Sequence, residues 1–316
     1  MIIHTECRNI VYEAGWTDEQ INEFEKKIAA AKLPNGVMPE GVPQKYQEDV
    51  ERGWKSGLDL IRQMGMNVRY FTDAAGKVPV DVAAGDAAIG ISIDFYSRVQ
   101  AEVTRDKLNG AERLIFVNPK GGSSISGDPI SLLRGSENKE LALRFMEYVL
   151  SENGQKLWNY KPGTPGGPTT SALRRLPVRR DFYPSSDNAT INAKALEHNK
   201  YTSDNLLDPK VDAYSLANDF MYRYRWTGRH FSFFRQFIRA MCMDSGVELR
   251  AATKAIIEAG GPEKCPQAME ALMRMPSEPY EMSWTASLEN SDIDSMECMR
   301  EWTIFFRNTY KEAERL

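Results

Sequence analysis

The first periodic stretch runs from residue 17 to residue 31. Thr17 stands as an N-cap before Asp18 and Glu19, and Ile21, Phe24 and Ile28 recur at the spacing of one helix face. Leu33-Pro34-Asn35-Gly36 ends that helix, and Pro39, Gly41 and Pro43 continue a loop. A second helix is predicted from about Gln44 to Met64, with Tyr46, Val50, Trp54, Leu58 and Ile61 along one side. The pattern then changes. Asn67–Phe71, Ala87–Ile93 and Leu114–Val117 are short, apolar and β-favouring, and each reads as a strand. Between the first two lie a loop, Thr72–Lys77, and a short helix over Val80–Ala84. Pro79 falls in its first turn, where a missing N–H costs nothing, and Gly85 is its stop. The 87–93 strand ends at Asp94-Phe95-Tyr96-Ser97, where a helix through Arg98 and Val99 begins.

Asn138–Leu150 is predicted as an amphipathic helix with Leu141, Phe145, Tyr148 and Val149 on its apolar side, and Ser151 caps a shorter helix ending near Trp158. Lys161–Pro168 (K-P-G-T-P-G-G-P) is a boundary rather than regular structure. Beyond Asp181 helices follow at 213–222, 231–241, 247–259, 263–273 and 295–310, with Phe231, Phe233, Phe234 and Phe237 spaced as core residues. Strand–helix alternation followed by helices alone predicts an α/β fold with a mainly helical C-terminal extension. The expected segments are 1–115, 116–183 and 184–316.

Composition narrows the function. The chain has 316 residues, and 40 Lys+Arg against 44 Asp+Glu give a net charge of −4, which excludes a globally basic nucleic-acid binder. No apolar run approaches the roughly 20 residues of a membrane span. The opening residues Met1–Glu6 lack the basic-then-apolar pattern of a signal peptide, so the chain as written is expected in the cytoplasm. The four cysteines (Cys7, Cys242, Cys265, Cys298) form no C-x-x-C pair, and three histidines argue against a His-rich metal centre. No G-x-S-x-G elbow, H-E-x-x-H motif or Cys–His cluster points to an enzyme.

A longer pattern carries more. Phe71-Thr72-Asp73-x-x-x-Lys77-Val78-Pro79-x-Asp81-Val82-Ala83-x-Gly85-Asp86-Ala87-Ala88-Ile89-Gly90 resembles the type 2 periplasmic solute-binding proteins of bacterial ABC importers, in the group that includes the ferric-iron importers. Ile93-Asp94-Phe95-Tyr96, Gly121-Gly122-Ser123-Ser124-Ile125, Phe145–Trp158 and Gly163–Val178 are similar in the same way. The resemblance implies two α/β lobes, a ligand held between them, a periplasmic location and delivery to a membrane permease. It also implies an N-terminal lobe segment and a secretion signal before Met1. The expectation is therefore a shortened member with an incomplete first lobe, able to self-associate through an open sheet edge. A non-transporting remnant that serves as an interaction module is the alternative.

Three places could hold a ligand. Thr72–Lys77 precedes a helix N-terminus, with Thr72 and Asp73 in the turn and Lys77 as a cation, a setting that suits carboxylate, phosphate or sulfate. Asp94 and Tyr96 follow the C-terminal end of a strand, where open α/β sheets place ligands. Ferric-binding relatives carry two adjacent tyrosines at that place, and here Phe95 replaces one, leaving Tyr96 as the candidate metal ligand. A small organic anion is preferred to ferric iron or an iron complex, and no cofactor is expected. Ser123 and Ser124 complete the set, as hydroxyls on a glycine-rich loop. Arg174, Arg175, Arg179 and Arg180 read as a solvated, salt-bridging face.

Overall fold

A computed structural model describes residues 1–33, 37–72, 74–107, 109–119, 121–125, 129–218, 220–289 and 294–316. The chain divides into two units, one formed by Met1–Phe71 with Tyr222–Leu316 and the other by Thr72–Met221. The boundaries fall at 71/72 and 221/222, where the sequence places its own at 115/116 and 183/184.

The first unit opens with α1 (Ile2–Glu13), α2 (Asp18–Ala31) and α3 (Gln44–Asn67). The predicted cap of α2 forms as a reciprocal box. The Gln20 N–H donates to Thr17 Oγ1 at 3.3 Å, and the Thr17 N–H donates to the Gln20 side chain at 3.0 Å. Helices α1 and α3 meet backbone to backbone. A Cβ on Gly53 would lie 2.3 Å from Cys7 Cα, and one on Gly57 2.5 Å from Ile3 Cα. Two glycines one helical turn apart thus face two α1 residues one turn apart, and only hydrogen fits between them.

In the second unit come α4 (Lys77–Ala84), α5 (Asp94–Lys107), α6 (Lys139–Leu150), α7 (Glu152–Asn159), α8 (Ala189–Asn199) and α9 (Ala213–Asn218). Back in the first unit follow α10 (Tyr224–Thr227), α11 (Phe231–Ile238), α12 (Gly246–Glu258), α13 (Pro266–Leu272), α14 (Met282–Glu289) and α15 (Ser295–Arg315). The C-terminal helices are not an extension: they share one core with α1–α3. Trp54 of α3 donates its indole N–H to the Trp226 carbonyl at 2.7 Å, and the Trp226 indole donates to the Tyr46 hydroxyl at 2.8 Å. Phe233 and Phe237 pack edge-on against Trp302, as the spacing predicts, whereas Phe231 is turned out to solvent. Arg62, fully buried, donates to the carbonyls of Met273 and Arg274 at 2.6 and 2.8 Å, satisfying groups left over at the end of α13.

The expected α/β sheet is not formed: the described residues are mostly helical and contain no strand, only an isolated bridge between Tyr160 and Thr202. Asn67 is taken up by α3. Residues 87–93 and 114–117 keep the alternation that suggested strands but have no strand neighbour among the described residues to complete a ladder. Gly90 faces Val78 and Val82 of α4, while Ile89 is 87% exposed and Ile91 and Ile93 point the same way. Phe116 lies under the Arg98 guanidinium, with Ile115 and Val117 exposed on either side of it. A β pattern records alternation and apolarity; pairing depends on a second segment arriving alongside. The apolar side expected on α6 is also uncovered, Phe145 being 61% exposed and Leu141 and Tyr148 likewise outward.

The core of the second unit is small: Tyr160, Phe182, Tyr183 and Leu206. Beside it runs a buried polar network. Arg174, held at φ 55°, donates to the carbonyls of Arg98 at 2.5 Å and Ser203 at 2.6 Å, and Arg98 pairs with Asp204 at 3.0 Å.

Candidate functional site

The candidate residues lie in the second unit. Helix α4 begins at Lys77, with Pro79 in its first turn and Gly85 closing it at φ 88°, where the Asp86 N–H returns to the Asp81 carbonyl at 2.9 Å. In the turn before it, Thr72 Oγ1 accepts the Ala74 N–H at 3.1 Å, and the Lys77 N–H donates to the Ala74 carbonyl at 2.9 Å. The Lys77 ammonium lies on the Asp81 carboxylate, one helical turn along. Its charge therefore reaches a guest only alongside Asp81. Asp73 lies outside the described residues.

Helix α5 begins at Asp94 and carries Phe95 and Tyr96 in its first turn. The turn and this helix start come together, because a Cβ on Gly76 would lie 3.6 Å from the Tyr96 ring. Tyr96 is partly exposed, and its hydroxyl hydrogen-bonds no described residue. The rings of Phe95 and Tyr96 lie side by side, with centroids 4.0 Å apart.

Two of the four arginines expected on a solvated face lie elsewhere. Arg175 is not on a solvated face: its guanidinium lies over the Phe95 ring, 4.9 Å from the centroid, and donates to Asp94 Oδ1 at 3.1 Å. Arg174 is buried as well, whereas Arg179 does pair locally with Asp181 at 2.8 Å. A run of arginines carries no local signal that separates these fates, since the partners of Arg174 and Arg175 lie far away along the chain. Ser123 and Ser124 are partly buried, and neither hydroxyl hydrogen-bonds a described residue. Nothing among the described contacts joins them to the turn at Gly76. The assembled group is thus a half-open aromatic pair flanked by a hydroxyl, a guanidinium and a carboxylate. Such a set can orient a small polar molecule.

A family model described as bacterial extracellular solute-binding protein matches residues 14–187, more than half of the chain. An uncharacterized protein of Haemophilus influenzae (strain ATCC 51907 / DSM 11121 / KW20 / Rd) is 29% identical over 105 residues, which are 33% of this chain. That match covers 28% of the relative's own length. No solved structure gives a significant match. Among the described residues, no helix is long and apolar enough to cross a membrane. The chain belongs to the bacterial extracellular solute-binding protein family.

Proposed function

We propose that the chain acts in the solute-binding component of an ABC importer, in the periplasm, and delivers a small organic anion to membrane permease subunits. Thr72, Lys77 and Tyr96 would donate to the solute, and Asp94 would hold Arg175 in place to meet its charge. Asp73, Ser123 and Ser124 remain candidates for the rest of the site. The observation that supports this reading is the apposition of the Gly76 turn and the Tyr96 ring, in a member of a solute-binding family. A planar guanidinium with parallel donors suits a carboxylate or phosphate. Ferric iron is the weaker ligand for this place. Asp94 already accepts from Arg175 and Phe95 offers no oxygen, so Tyr96 alone would be left to bind a hard trivalent ion.

Thermal-shift measurements against phosphorylated sugars, dicarboxylates and ferric citrate test the proposal. A ligand at 100 times its Kd should stabilise the chain by about 2.7 kcal/mol. A shift with an organic anion, absent with its neutral analogue, is expected. No shift with any anion, or an equal one with the neutral analogue, overturns it.

A second reading, self-association, is favoured by the outward run of Ile89, Ile91 and Ile93. Light scattering over a range of concentrations decides it. A dimer abolished by Ile91→Lys supports the reading, and a monomer at every concentration refutes it.

A further inference from the structure

Away from the residues proposed for the solute, Glu152, Asp181 and His198 bring one ligand atom each within 4.8 Å of one another. Glu152 lies in the first turn of α7, Asp181 in the segment before α8, and His198 in the last turn of α8. We propose that these three side chains form a binding site for a divalent transition-metal ion of the zinc class.

The histidine is prepared for such a role. It is only 4% exposed, and its ring lies flat on Phe182, with centroids 3.9 Å apart and 3° between the planes. Its Nδ1 is engaged with the Tyr160 hydroxyl at 2.6 Å. This leaves Nε2, which hydrogen-bonds no described residue, as the nitrogen for a metal. A ligating imidazole ordinarily has its other nitrogen fixed in this way.

The carboxylates are held too. Arg179 grips Asp181 with two hydrogen bonds, at 3.0 Å to Oδ1 and 2.8 Å to Oδ2, and Lys156 holds Glu152 Oε1 at 2.7 Å. Each carboxylate oxygen has a second lone pair for an ion.

A cation already serves both carboxylates. The Lys194 ammonium lies 3.5 Å from Asp181 Oδ2 and 3.9 Å from Glu152 Oε2, longer than either of the other pairings, and its side chain is 49% exposed. It is a weakly held positive charge beside both carboxylates, and its flexible stem lets it withdraw. For zinc bonds of about 2.0–2.2 Å in a tetrahedral set, the donor atoms must draw in to roughly 3.4 Å apart. Rotation about the side-chain bonds of Glu152, in the first turn of α7, and of Asp181 can supply that movement while the stacked His198 ring stays fixed. Water would take the fourth position. One imidazole with two carboxylates fits zinc, or cobalt as its spectroscopic substitute, better than magnesium or calcium.

The test is a titration of the full chain, freed of metal by chelation, with Co2+ followed by visible absorption, and then displacement by Zn2+. One equivalent of Co2+ should give the intense bands of a low-coordinate site, which Zn2+ removes. His198→Ala and Glu152→Gln should abolish the bands while the far-ultraviolet circular dichroism stays native. Tyr160→Phe should weaken binding about tenfold. Lys194→Met removes the competing ammonium and should tighten binding several-fold, a gain that misfolding cannot produce. The proposal is overturned if no one-equivalent Co2+ spectrum appears, if the spectrum persists in folded His198→Ala, or if Lys194→Met binds no more tightly than the parent.

Discussion

At the scale of single residues the account turns on Tyr96 and Arg175. Tyr96→Phe should weaken binding of the anionic solute by about 1.5–3 kcal/mol, the net worth of a hydrogen bond to a charged partner. Calorimetry would read it as a fall in affinity without a fall in melting temperature, because the hydroxyl bonds nothing else described. An unchanged Kd removes Tyr96 from the site. The sequence pointed to Tyr96 through the end of an apolar run, and the structure places it against the Gly76 turn. Arg175 was beyond its reach, because its contacts with Asp94 and Phe95 span some eighty residues of chain. The same distance effect hid Arg174, which looked like one more surface cation and is buried among backbone carbonyls. Lys77 shows the opposite limit: its type and place were legible, but not that Asp81 would claim its ammonium.

At the scale of elements, many helices were readable, though not α1, α8 or α14, and strands were not. Thr17, Pro79, Gly85 and Ser151 mark helix ends by local backbone chemistry, and the structure uses each at its expected end. Residues 87–93 have the composition of a strand, but a ladder needs a neighbour that no local pattern specifies. The seam between α1 and α3 was equally silent, since Gly53 and Gly57 lie inside a helix where glycine is ordinarily a small penalty. Their reason is the backbone of α1. Gly53→Ala should therefore destabilise the first unit by about 1–3 kcal/mol or more, although alanine is the better helix former. Urea denaturation measures this, and a stabilised Gly53→Ala would show that the two helices do not meet so closely. Gly76→Ala is the control. Its added Cβ would stand at ordinary contact distance from Tyr96, and its φ of −71° suits any residue.

At the scale of the whole chain, the core that joins both ends of the sequence depends on neutral histidines. His4 is buried and accepts the Arg223 backbone N–H through Nε2 at 2.8 Å; burial and nearby positive charge hold its pKa down at about 4. Burial does the same to His230, whose ring packs against Trp54 and whose Nδ1 meets Thr285. In the unfolded chain both titrate near 6.5. Between those values the unfolded state binds more protons, so stability is full above about pH 6.5 and falls as the pH drops towards 4. Each histidine contributes up to about 1.4 kcal/mol per pH unit. The urea midpoint should decline measurably from pH 6.5 to 5, before most carboxylates protonate. A flat midpoint across that window would mean that these rings are hydrated.

The function itself is tested most directly by calorimetric titration of the purified chain with the organic anion that gives the largest thermal shift, beside its uncharged analogue. The account predicts saturable one-to-one binding of the anion, weakened in Tyr96→Phe and in Arg175→Ala, and no measurable heat from the analogue. Equal binding of the charged and uncharged forms, or affinities untouched by both substitutions, would contradict it.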